Sequence, residues 1–263
     1  MPSIEQNIGK WGEDSNWLKA GDEWSHAWGG ASKQWHGSVL PRIQRFLPAS
    51  TILEIAPGFG RWTQLLQPHC DRLIGVDLNA NCIEACTRRF PGSPQLSFHL
   101  NDGKSLAMVP DSSIDFIFSL DSLVHAEADV IHAYLSQFNR ILRPKGVAFI
   151  HHSNYGAYAV GGVVMALGRT RGLRHLVWRL RLGGIRPNYH WRAESMSAAR
   201  FRASCLQCSL RCVEQEMINW GADFLNDCFS IAVRADSHGW PEETRVVENC
   251  RFMEEAVHIK STQ

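Results

Sequence analysis

Beginning at Thr51, short apolar runs alternate with longer amphipathic runs, and this alternation limits the possible folds more than any other feature of the sequence. We predict five strands in this region, at residues 52–56, 72–77, 96–100, 114–120 and 147–152. We predict the intervening helices at residues 61–67, 80–89 and 128–142, and we expect the turn at residues 144–146 to end the third helix. Strands that alternate with helices are typical of a parallel sheet with helices on both faces.

Two later segments, residues 210–217 and 228–234, have the alternating pattern of strands and follow a predicted helix at residues 198–210. We expect them to form an antiparallel hairpin at the edge of the sheet, which makes seven strands in all. We divide the 263 residues into an N-terminal helical lid segment (1–45) and a main α/β domain (46–263). A basic insert at residues 155–195 belongs to the main domain, and we expect it to cap a binding site.

The composition excludes several functional classes. Hydrophobic residues make up 44% of the chain, charged residues 20%, and the net charge is +1, so the basic excess of nucleic-acid-binding proteins is missing. Residues 1–16 lack the basic and apolar regions of a secretory signal, and no apolar run reaches the roughly 18 residues of a transmembrane helix. We therefore expect a cytoplasmic protein with no transmembrane segment.

The chain has eight cysteines, which we expect to stay reduced in the cytoplasm. Cys205, Cys208 and Cys212 have the spacing C-x2-C-x3-C, but no second closely spaced pair completes a tetrahedral zinc site. We interpret these residues as buried or half-buried thiols.

The segment LEIAPGFGRWT, residues 53–63, has the pattern of a strand that turns sharply into a helix beside a ligand. Gly58 and Gly60 permit the turn and let a ligand approach the backbone. In a dinucleotide-binding turn, a third Gly or Ala allows the helix to pack closely and face a pyrophosphate. Thr63 occupies that position here, which weakens an interpretation as an NAD site.

Four acidic residues stand in or just after the first four predicted strands: Glu54, Asp77, Asp102 and Asp121. Asp77, at the end of the second strand, is placed to accept hydrogen bonds from both hydroxyls of a ribose. Asp102, after the third strand, is placed to reach an adenine amino group. Each acid by itself could simply cap a strand or helix, but in this order they predict one site along the carboxyl ends of the strands.

Five segments, LEIAPGFGRWT, GVDLN, LNDG, IDFIFSLDSLVH and FNRILRPKGVAFIHHSN, resemble the successive motifs of class I S-adenosylmethionine-dependent methyltransferases, over residues 51–154. The resemblance implies a Rossmann-like, doubly wound α/β fold, with a seven-stranded, mostly parallel sheet whose last strand is antiparallel. It also implies S-adenosylmethionine as the cofactor, and a methyl donor without a pyrophosphate does not require the third glycine. The implied cofactor-binding residues are Glu54, Ala56, Gly58, Gly60, Arg61, Asp77, Leu78, Asp102, Gly103 and Leu120.

Three further segments, GDEWSHAWG, IHHSN and NYHWRAESMS, are similar to methyltransferases of glycan and natural-product biosynthesis. This similarity implies O-methylation of a hydroxyl on a small-molecule, sugar or glycan-linked acceptor. We expect acceptor contacts at Trp24, Trp28, Asn154, His190 and Arg192, with core packing as the alternative role of the two tryptophans. Trp24 and Trp28 are four residues apart and are expected to share one face of a helix.

A hydroxyl acceptor must lose a proton during methyl transfer, and histidine is a suitable base at neutral pH. His125, which follows Asp121 after the fourth strand, is one candidate, although it could equally cap the next helix. His151 and His152 face opposite sides of the fifth strand, and we favour His152 because it lies nearer the loop. Asp121, His125 and His152 also suit a divalent metal, but we do not favour a metal site because the acidic pair that such an ion prefers is missing.

Residues 155–202 carry nine arginines and one acid, Glu194. This charge suits an anionic acceptor, a peripheral contact with anionic lipid headgroups, or a solvated basic face or oligomer contact. We favour Arg192 as an acceptor contact. The arginines are Arg169, Arg171, Arg174, Arg179, Arg181, Arg186, Arg192, Arg200 and Arg202.

Three alternatives to O-methylation remain at the level of sequence. The same fold also supports N- or C-methylation, and only the acceptor separates these reactions. A non-catalytic methyltransferase-fold subunit is opposed by the complete set of glycines and acids in the cofactor motifs. An NAD-dependent oxidoreductase is opposed by Thr63.

Overall fold

Residues 2–13, 17–158 and 191–262 are described by the computed structural model, and they are organised around one eight-stranded sheet. In chain order the strands are β1 (Ala49–Ile55), β2 (Cys70–Asp77), β3 (Leu96–Leu100), β4 (Ile114–Ser119), β5 (Leu142–Ser153), β6 (Leu210–Ile218), β7 (Asp227–Arg234) and β8 (Arg245–Asn249). They lie in the order β3-β2-β1-β4-β5-β7-β6-β8. The strands from β1 to β5 pair in parallel, β7 runs antiparallel to β5 and β6, and β8 pairs in parallel with β6.

The α-helices of the described residues are α1 (Ile4–Trp11), α2 (Ala31–Gln34), α3 (Leu40–Ile43), α4 (Thr63–Leu66), α5 (Ala80–Arg89), α6 (Ala128–Ile141), α7 (Ala198–Gln207) and α8 (Phe252–Ser261). Helix α1 begins with a capping box in which Ser3 and Gln6 exchange side-chain-to-backbone hydrogen bonds. Short 3₁₀ segments include Asp22–Trp28 and Leu123–His125. Across the described ranges, no helix is both long enough and apolar enough to cross a membrane.

The core has two layers because consecutive strand residues point to opposite faces of the sheet. In β1, Leu53 packs in a layer that includes Phe138 of α6 and Phe201 of α7. Its neighbour Ile52 packs in the other layer, which is covered by α3, α4, α8 and the π-helical segment Trp35–Val39. The sheet is therefore covered by helices on both faces, as the sequence pattern predicts.

The expected count of seven strands is wrong, because β8 forms an eighth strand at the outer edge of β6. The predicted hairpin of β6 and β7 is present, but β8 removes it from the edge of the sheet. Most residues of β8 are exposed. A strand held by backbone pairing at an edge needs no alternation of buried side chains, so its sequence carries little signal.

The expected turn at residues 144–146 is also absent. Helix α6 ends at Ile141, and β5 begins at once with Leu142. The pairing of β4 with β5 shifts register in this region, where Ile114 pairs with Leu142 but Phe116 pairs with Val147. A bulge of this kind accommodates Pro144, which has no N–H to donate to the ladder.

The cysteines are free thiols, and each of them lies in a described range. Cys205 is buried on α7, Cys208 ends that helix, and Cys212 is buried on β6. These positions agree with the interpretation of the three residues as thiols of the protein interior.

Candidate functional site

A cavity of about 340 Å³ lies at the carboxyl ends of β1, β2 and β4. Its floor comes from the turn after β1, the end of β2 and the segment after β4. The N-terminal segment forms much of the opposite wall through Ile4, Asn7, Lys10, Trp11, Trp17 and Trp24. Trp191, Arg192 and Trp220 also line the cavity. The cavity is therefore at the edge of the sheet that the order of the four acids predicts.

Three residues of the turn after β1 have left-handed backbone conformations, Ala56 (φ +58°), Gly58 (φ +56°) and Gly60 (φ +82°). A Cβ atom on Gly58 would meet the ring of Trp17 at 2.5 Å, and one on Gly60 would meet the ring of Phe90 at 2.7 Å. Both positions therefore require glycine for space as well as for conformation. Ala56 tolerates the same conformation at a cost of roughly 1–2 kcal/mol.

Asp77, at the end of β2, is buried, contacts the turn after β1 and lines the cavity. Its carboxylate accepts hydrogen bonds from the backbone N–H groups of Gly58 at 3.1 Å and Asn79 at 2.9 Å. Burial outweighs these bonds and raises the pKa of Asp77 to about 6. A carboxylate has further lone pairs, so Asp77 can accept additional hydrogen bonds from a ligand.

Glu54 lies behind the turn and supports it from the protein interior. One of its oxygens accepts a hydrogen bond from the hydroxyl of Thr63 at 2.6 Å, and the other has no partner among the described residues. Burial raises the pKa of Glu54 to about 7, and the nearby Asp77 also raises it. Thr63, at the position of the third glycine of a dinucleotide turn, thus serves as the hydrogen-bond donor to a buried carboxyl group.

Seven of the ten sequence-predicted cofactor residues line the cavity: Ala56, Gly58, Arg61, Asp77, Leu78, Gly103 and Leu120. The other three lie outside its wall. Glu54 is behind the turn, and Gly60 packs against Phe90. Asp102 is exposed, and its carboxylate accepts from the backbone N–H groups of Lys104 at 2.9 Å and Ser105 at 2.6 Å. The expected approach of Asp102 to an adenine is therefore not supported, because the side chain folds back on its own loop.

A chain of five ionisable side chains begins at Arg61 and runs into the protein. A nitrogen of Arg61 lies 2.6 Å from an oxygen of Asp121, and the other oxygen of Asp121 lies 3.3 Å from Nδ1 of His151. Nε2 of His151 lies 3.3 Å from Asp227, whose two oxygens accept from Arg192 at 2.8 and 2.6 Å. Arg61, Asp121 and Arg192 line the cavity, whereas His151 and Asp227 are buried behind it.

Burial and the neighbouring charges have opposite effects on the pKa values of the three inner members of this chain. Burial alone would raise the pKa of Asp121, but Arg61 and His151 outweigh it and lower the pKa to about 2. Burial alone would lower the pKa of His151, but Asp121 and Asp227 outweigh it and raise the pKa. Arg192 and His151 likewise lower the pKa of Asp227. Opposite charges at ion-pair distance in a buried site have these effects.

His125 lines the cavity between two tryptophan rings, with ring centroids 5.0 Å from Trp11 and 5.6 Å from Trp191. Nδ1 lies 2.9 Å from the backbone carbonyl of Trp191. A carbonyl only accepts, so Nδ1 carries the proton and Nε2 keeps its lone pair. Burial and the cation of Arg192 lower the pKa of His125 to about 3, so the ring is neutral at physiological pH.

The structure corrects the choice between the two histidines at the end of β5. His152 points away from the cavity, stacks on Phe201 at 4.4 Å and bonds through Nε2 to the hydroxyl of Ser230 at 2.8 Å. His151 is the residue that faces Asp121. The sequence indicates that only one of the two can face the site, but the face depends on how β5 is placed between β4 and β7.

The expected acceptor contacts separate into three groups. Trp24 and Arg192 line the cavity, and Arg192 is paired with Asp227. Asn154 is buried elsewhere, where its side chain bonds the backbone of Leu225 and Ala198. His190 lies outside the described residues, as do the basic-insert arginines Arg169, Arg171, Arg174, Arg179, Arg181 and Arg186.

Trp28 is also away from the cavity, buried in the core against Phe252 at 5.0 Å. The expectation that Trp24 and Trp28 share a helical face is wrong because residues 22–28 form a 3₁₀ helix. With about three residues per turn, side chains four positions apart point in different directions.

Sequence reasoning missed Asp227 and favoured His152 over His151, although Asp227 and His151 both belong to this chain of ionisable side chains. Asp227 begins β7, and nothing in its local sequence distinguishes it from an ordinary residue at the start of a strand. In the described part of the chain, no group of three or more His, Cys, Asp or Glu side chains is arranged to hold a metal ion. Asp121 is engaged by Arg61, and His152 lies in the core, so these two do not combine with His125.

Comparisons with known proteins bear directly on this cavity. Residues 52–146 match the family model of a methyltransferase domain, and this segment contains the glycine turn, Asp77, Asp121 and His125. No curated protein sequence matches the chain. The domain match makes the protein a methyltransferase, an enzyme whose cofactor is S-adenosylmethionine.

Solved structures share the fold. A SAM-dependent methyltransferase from Leishmania major is 14% identical, with a TM-score of 0.56, over 87% of this chain and 82% of that chain. A chain of the complex between a Haloferax volcanii methyltransferase activator and a methyltransferase is 18% identical, with a TM-score of 0.53, over 85% and 99%. The DhpI–SAH complex is 19% identical, with a TM-score of 0.51, over 88% and 93%. At these identities the likeness is one of fold.

Proposed function

We propose that this methyltransferase transfers a methyl group to a hydroxyl of a small-molecule, sugar or glycan-linked acceptor, and that His125 accepts the hydroxyl proton. The observation that carries the proposal is the hydrogen bond from Nδ1 of His125 to the carbonyl of Trp191, at 2.9 Å. It leaves Nε2 as an acceptor in the wall of the cavity that contains Asp77 and Gly58. A neutral acceptor atom beside the methyl donor is what a hydroxyl substrate requires.

The residues of the cavity suit S-adenosylmethionine. Asp77 can accept hydrogen bonds from the ribose hydroxyls, and it also holds the turn through the backbone N–H of Gly58. Leu78 and Gly103 supply further wall beside Asp77, and Leu120 lies at the end of β4. When bound, the cofactor supplies an activated methyl group on a positively charged sulfur.

The low pKa of His125 is compatible with this role. As the hydroxyl oxygen gains the methyl group, its proton becomes strongly acidic, so even a weak base can receive it at Nε2. A histidine with a pKa of about 3 is also neutral before the reaction, so its lone pair is available at any physiological pH. Positioning of the acceptor oxygen then contributes more to the rate than the strength of the base.

The shape of the site favours a small acceptor or a small terminal group of a larger one. Trp11, Trp17 and Trp24 of the N-terminal segment line the cavity opposite the strand ends. Asn7 strengthens this wall by donating from its side chain to the carbonyl of His125 at 3.1 Å. An acceptor at His125 would therefore lie between these tryptophans and the strand ends.

The test is product formation with matched acceptor pairs. The purified protein is incubated with S-adenosylmethionine and either phenol or aniline, and either methyl glucopyranoside or its 2-amino analogue, and released S-adenosylhomocysteine is measured. We expect turnover with a hydroxyl member of a pair, and we expect His125→Gln to lower that turnover by about 100-fold, the usual effect of losing a general base.

His258→Gln, at an exposed position of α8, is the matched control and should leave turnover unchanged. Binding of S-adenosylhomocysteine should be the same in wild type and both variants. Turnover confined to the amines, with the transferred methyl group located on nitrogen by NMR of the product, would show N-methylation instead. Full activity of His125→Gln on a hydroxyl acceptor would reject His125 as the proton acceptor.

A further inference from the structure

Five tryptophans line the cavity without being fully buried. Three come from the N-terminal segment and two from much later in the chain: Trp11, Trp17, Trp24, Trp191 and Trp220. Trp24 is the most open, with 42% of its surface exposed. Large aromatic surfaces left in contact with solvent are unusual in a protein interior and commonly mark binding sites. Neither the cofactor residues nor His125 accounts for this concentration of indole rings.

Two of the five rings are already used by neighbouring side chains. Trp17 is stacked on Phe59 with centroids 4.8 Å apart and lies over Gly58, on the cofactor side of the cavity. Trp220 packs against His151 and Phe252, with centroids 5.2 and 5.4 Å apart. Of the remaining rings, those of Trp11 and Trp191 contact the ring of His125, and that of Trp24 contacts Trp11.

These three rings form a corner of defined shape. Trp11 and Trp24 meet edge to face, with centroids 5.5 Å apart and an interplanar angle of 77°. The ring of His125 lies between Trp11 and Trp191, tilted by 33° and 36° to them. Flat aromatic walls around one hydrogen-bond acceptor favour a ligand that has a flat apolar face and a hydroxyl at its rim.

We propose that Trp11, Trp24 and Trp191 form the acceptor subsite, and that the acceptor hydroxyl is carried on a six-membered ring whose face stacks on these indoles. The inference rests on the proposed hydroxyl methylation. Two kinds of acceptor share this chemistry. A phenol presents the flat face of its aromatic ring, and a pyranose sugar presents its C–H face. An acyclic polyol has hydroxyls but no such face.

The ammonium of Lys10 indicates that the indole faces are presented to the cavity. Its Nζ atom lies 4.5 Å from the ring centroid of Trp191 and 5.6 Å from that of Trp11. A cation over an indole face occupies the position that a stacked ring would take. A ring stacked on Trp191 therefore requires the ammonium of Lys10 to move aside.

The experiment measures binding of three probes to the full-length protein saturated with S-adenosylhomocysteine, by saturation-transfer NMR and titration. The probes are catechol, methyl α-D-glucopyranoside and the acyclic polyol erythritol. We expect at least one ring probe to bind and erythritol not to bind. Binding of catechol alone assigns a phenolic acceptor, binding of the glucoside alone assigns a sugar, and binding of both shows that the ring face suffices.

Trp24→Leu and Trp191→Leu should each weaken binding of the ring probe by about fivefold or more, the scale of a lost aromatic contact. Their affinity for S-adenosylhomocysteine should be unchanged, which shows that the variants are folded. Trp240→Leu is the matched control, because Trp240 packs against Phe46 outside the cavity. Equal binding of erythritol, failure of both ring probes, or unaltered probe binding in both cavity variants would overturn the proposal.

The variant His125→Gln separates this proposal from the one on which it rests. It should lose methylation while it retains the ring probe, because the indole walls remain. A wild-type protein that binds the ring probe through Trp24 and Trp191 but methylates only amines would refute hydroxyl methylation and leave the ring subsite standing. Methylation of hydroxyls that does not depend on Trp24 or Trp191 would support hydroxyl methylation and refute the ring subsite.

Discussion

The side of the cavity that we assign to the cofactor and the side that we assign to the acceptor are built in different ways. On the cofactor side, the turn after β1 and the end of β2 are joined by the bond between Gly58 and Asp77, 19 residues apart. On the side that we assign to the acceptor, His125 bonds to the backbone of Trp191, 66 residues away, and Arg192 reaches across to Asp227 on β7. The first side is made mainly of backbone and one carboxylate, and the second is made of side chains that support one another.

This difference has an energetic consequence. A turn that presents backbone N–H groups keeps its shape through local conformation and the two glycines. A wall of paired buried charges keeps its shape only while every partner is present, because a single lost partner leaves an unpaired buried ion. Substitutions should therefore damage binding on the cofactor side and the stability of the fold on the acceptor side.

Asp227→Asn should have the largest effect. The change removes the charge that pairs with Arg192 at 2.6 Å and faces His151, so we expect the free energy of unfolding to fall by about 3 kcal/mol. Urea denaturation measures this loss. Asp236→Asn, which removes the surface partner of Arg234, is the control, and its free energy of unfolding should stay close to that of the wild type. An equal loss of unfolding free energy in the two variants would show that the buried pair matters no more to stability than the surface pair.

Asp77→Ala should mainly affect the cofactor. It removes the acceptor for the N–H groups of Gly58 and Asn79 and the expected ribose contact, so we expect affinity for S-adenosylhomocysteine to fall by about 30-fold, or about 2 kcal/mol. Calorimetric titration measures the change. Asp71→Ala, at an exposed position of the same strand, should bind as wild type. An unchanged affinity in Asp77→Ala would remove Asp77 from the cofactor site.

Thr63→Val tests the support behind the turn. The hydroxyl of Thr63 is the donor to Glu54, so its loss leaves a buried carboxyl group without that bond and should lower the free energy of unfolding by about 1–2 kcal/mol. Thr87→Val, on the exposed side of α5, should change stability by no more than about 0.5 kcal/mol. If the two variants lose the same amount, Glu54 does not depend on Thr63.

A change of pH should have the smallest effect, and it should move the stability of the protein and its affinity for the cofactor in opposite directions. Burial raises the pKa of Asp77 to about 6 and that of Glu54 to about 7, so the fold disfavours their ionised forms. The ligand-free protein should therefore become less stable as pH rises through this range, because the unfolded chain ionises first. The raised pKa of His151 acts in the same direction, since stability from its charged form is lost as pH rises.

Cofactor binding should follow the opposite trend. Ribose hydroxyls require the ionised form of Asp77 as acceptor, so affinity for S-adenosylhomocysteine should increase by about fourfold between pH 5.5 and pH 7. Urea denaturation and calorimetry over this range measure the two trends on one preparation. Parallel trends would contradict the assignment of Asp77 as an ionised ligand to the ribose.

Regular elements with clear signals were predictable to the residue. Helix α5 and strand β3 have the predicted bounds, because an amphipathic helix and a short apolar strand each show their period in the local sequence. The edge strand β8 and the bulge at the start of β5 were not predictable, since both depend on pairing with a neighbouring strand. Pairing partners are properties of the assembled sheet.

The candidate site divides in the same way. The glycine turn and Asp77 could be placed together from sequence because consecutive parallel strands bring their carboxyl ends to one edge. Whether His151 or His152 faces that edge could not be decided, because neighbouring residues differ only in the face of β5 to which they point. The position of Asp102 also needed the structure, because its side chain bonds to its own loop.

By itself, the sequence determined the doubly wound α/β fold, the edge at which the cofactor cavity lies and the residues that shape its turn. These follow from local periods and from the geometry of parallel strands, which act over short distances along the chain. Only the tertiary structure decided the chain of charges from Arg61 to Arg192, the tautomer of His125 and the grouping of Trp11, Trp24 and Trp191. Each of these depends on a long-range contact, and a long-range contact exists only after the sheet has brought its two partners together.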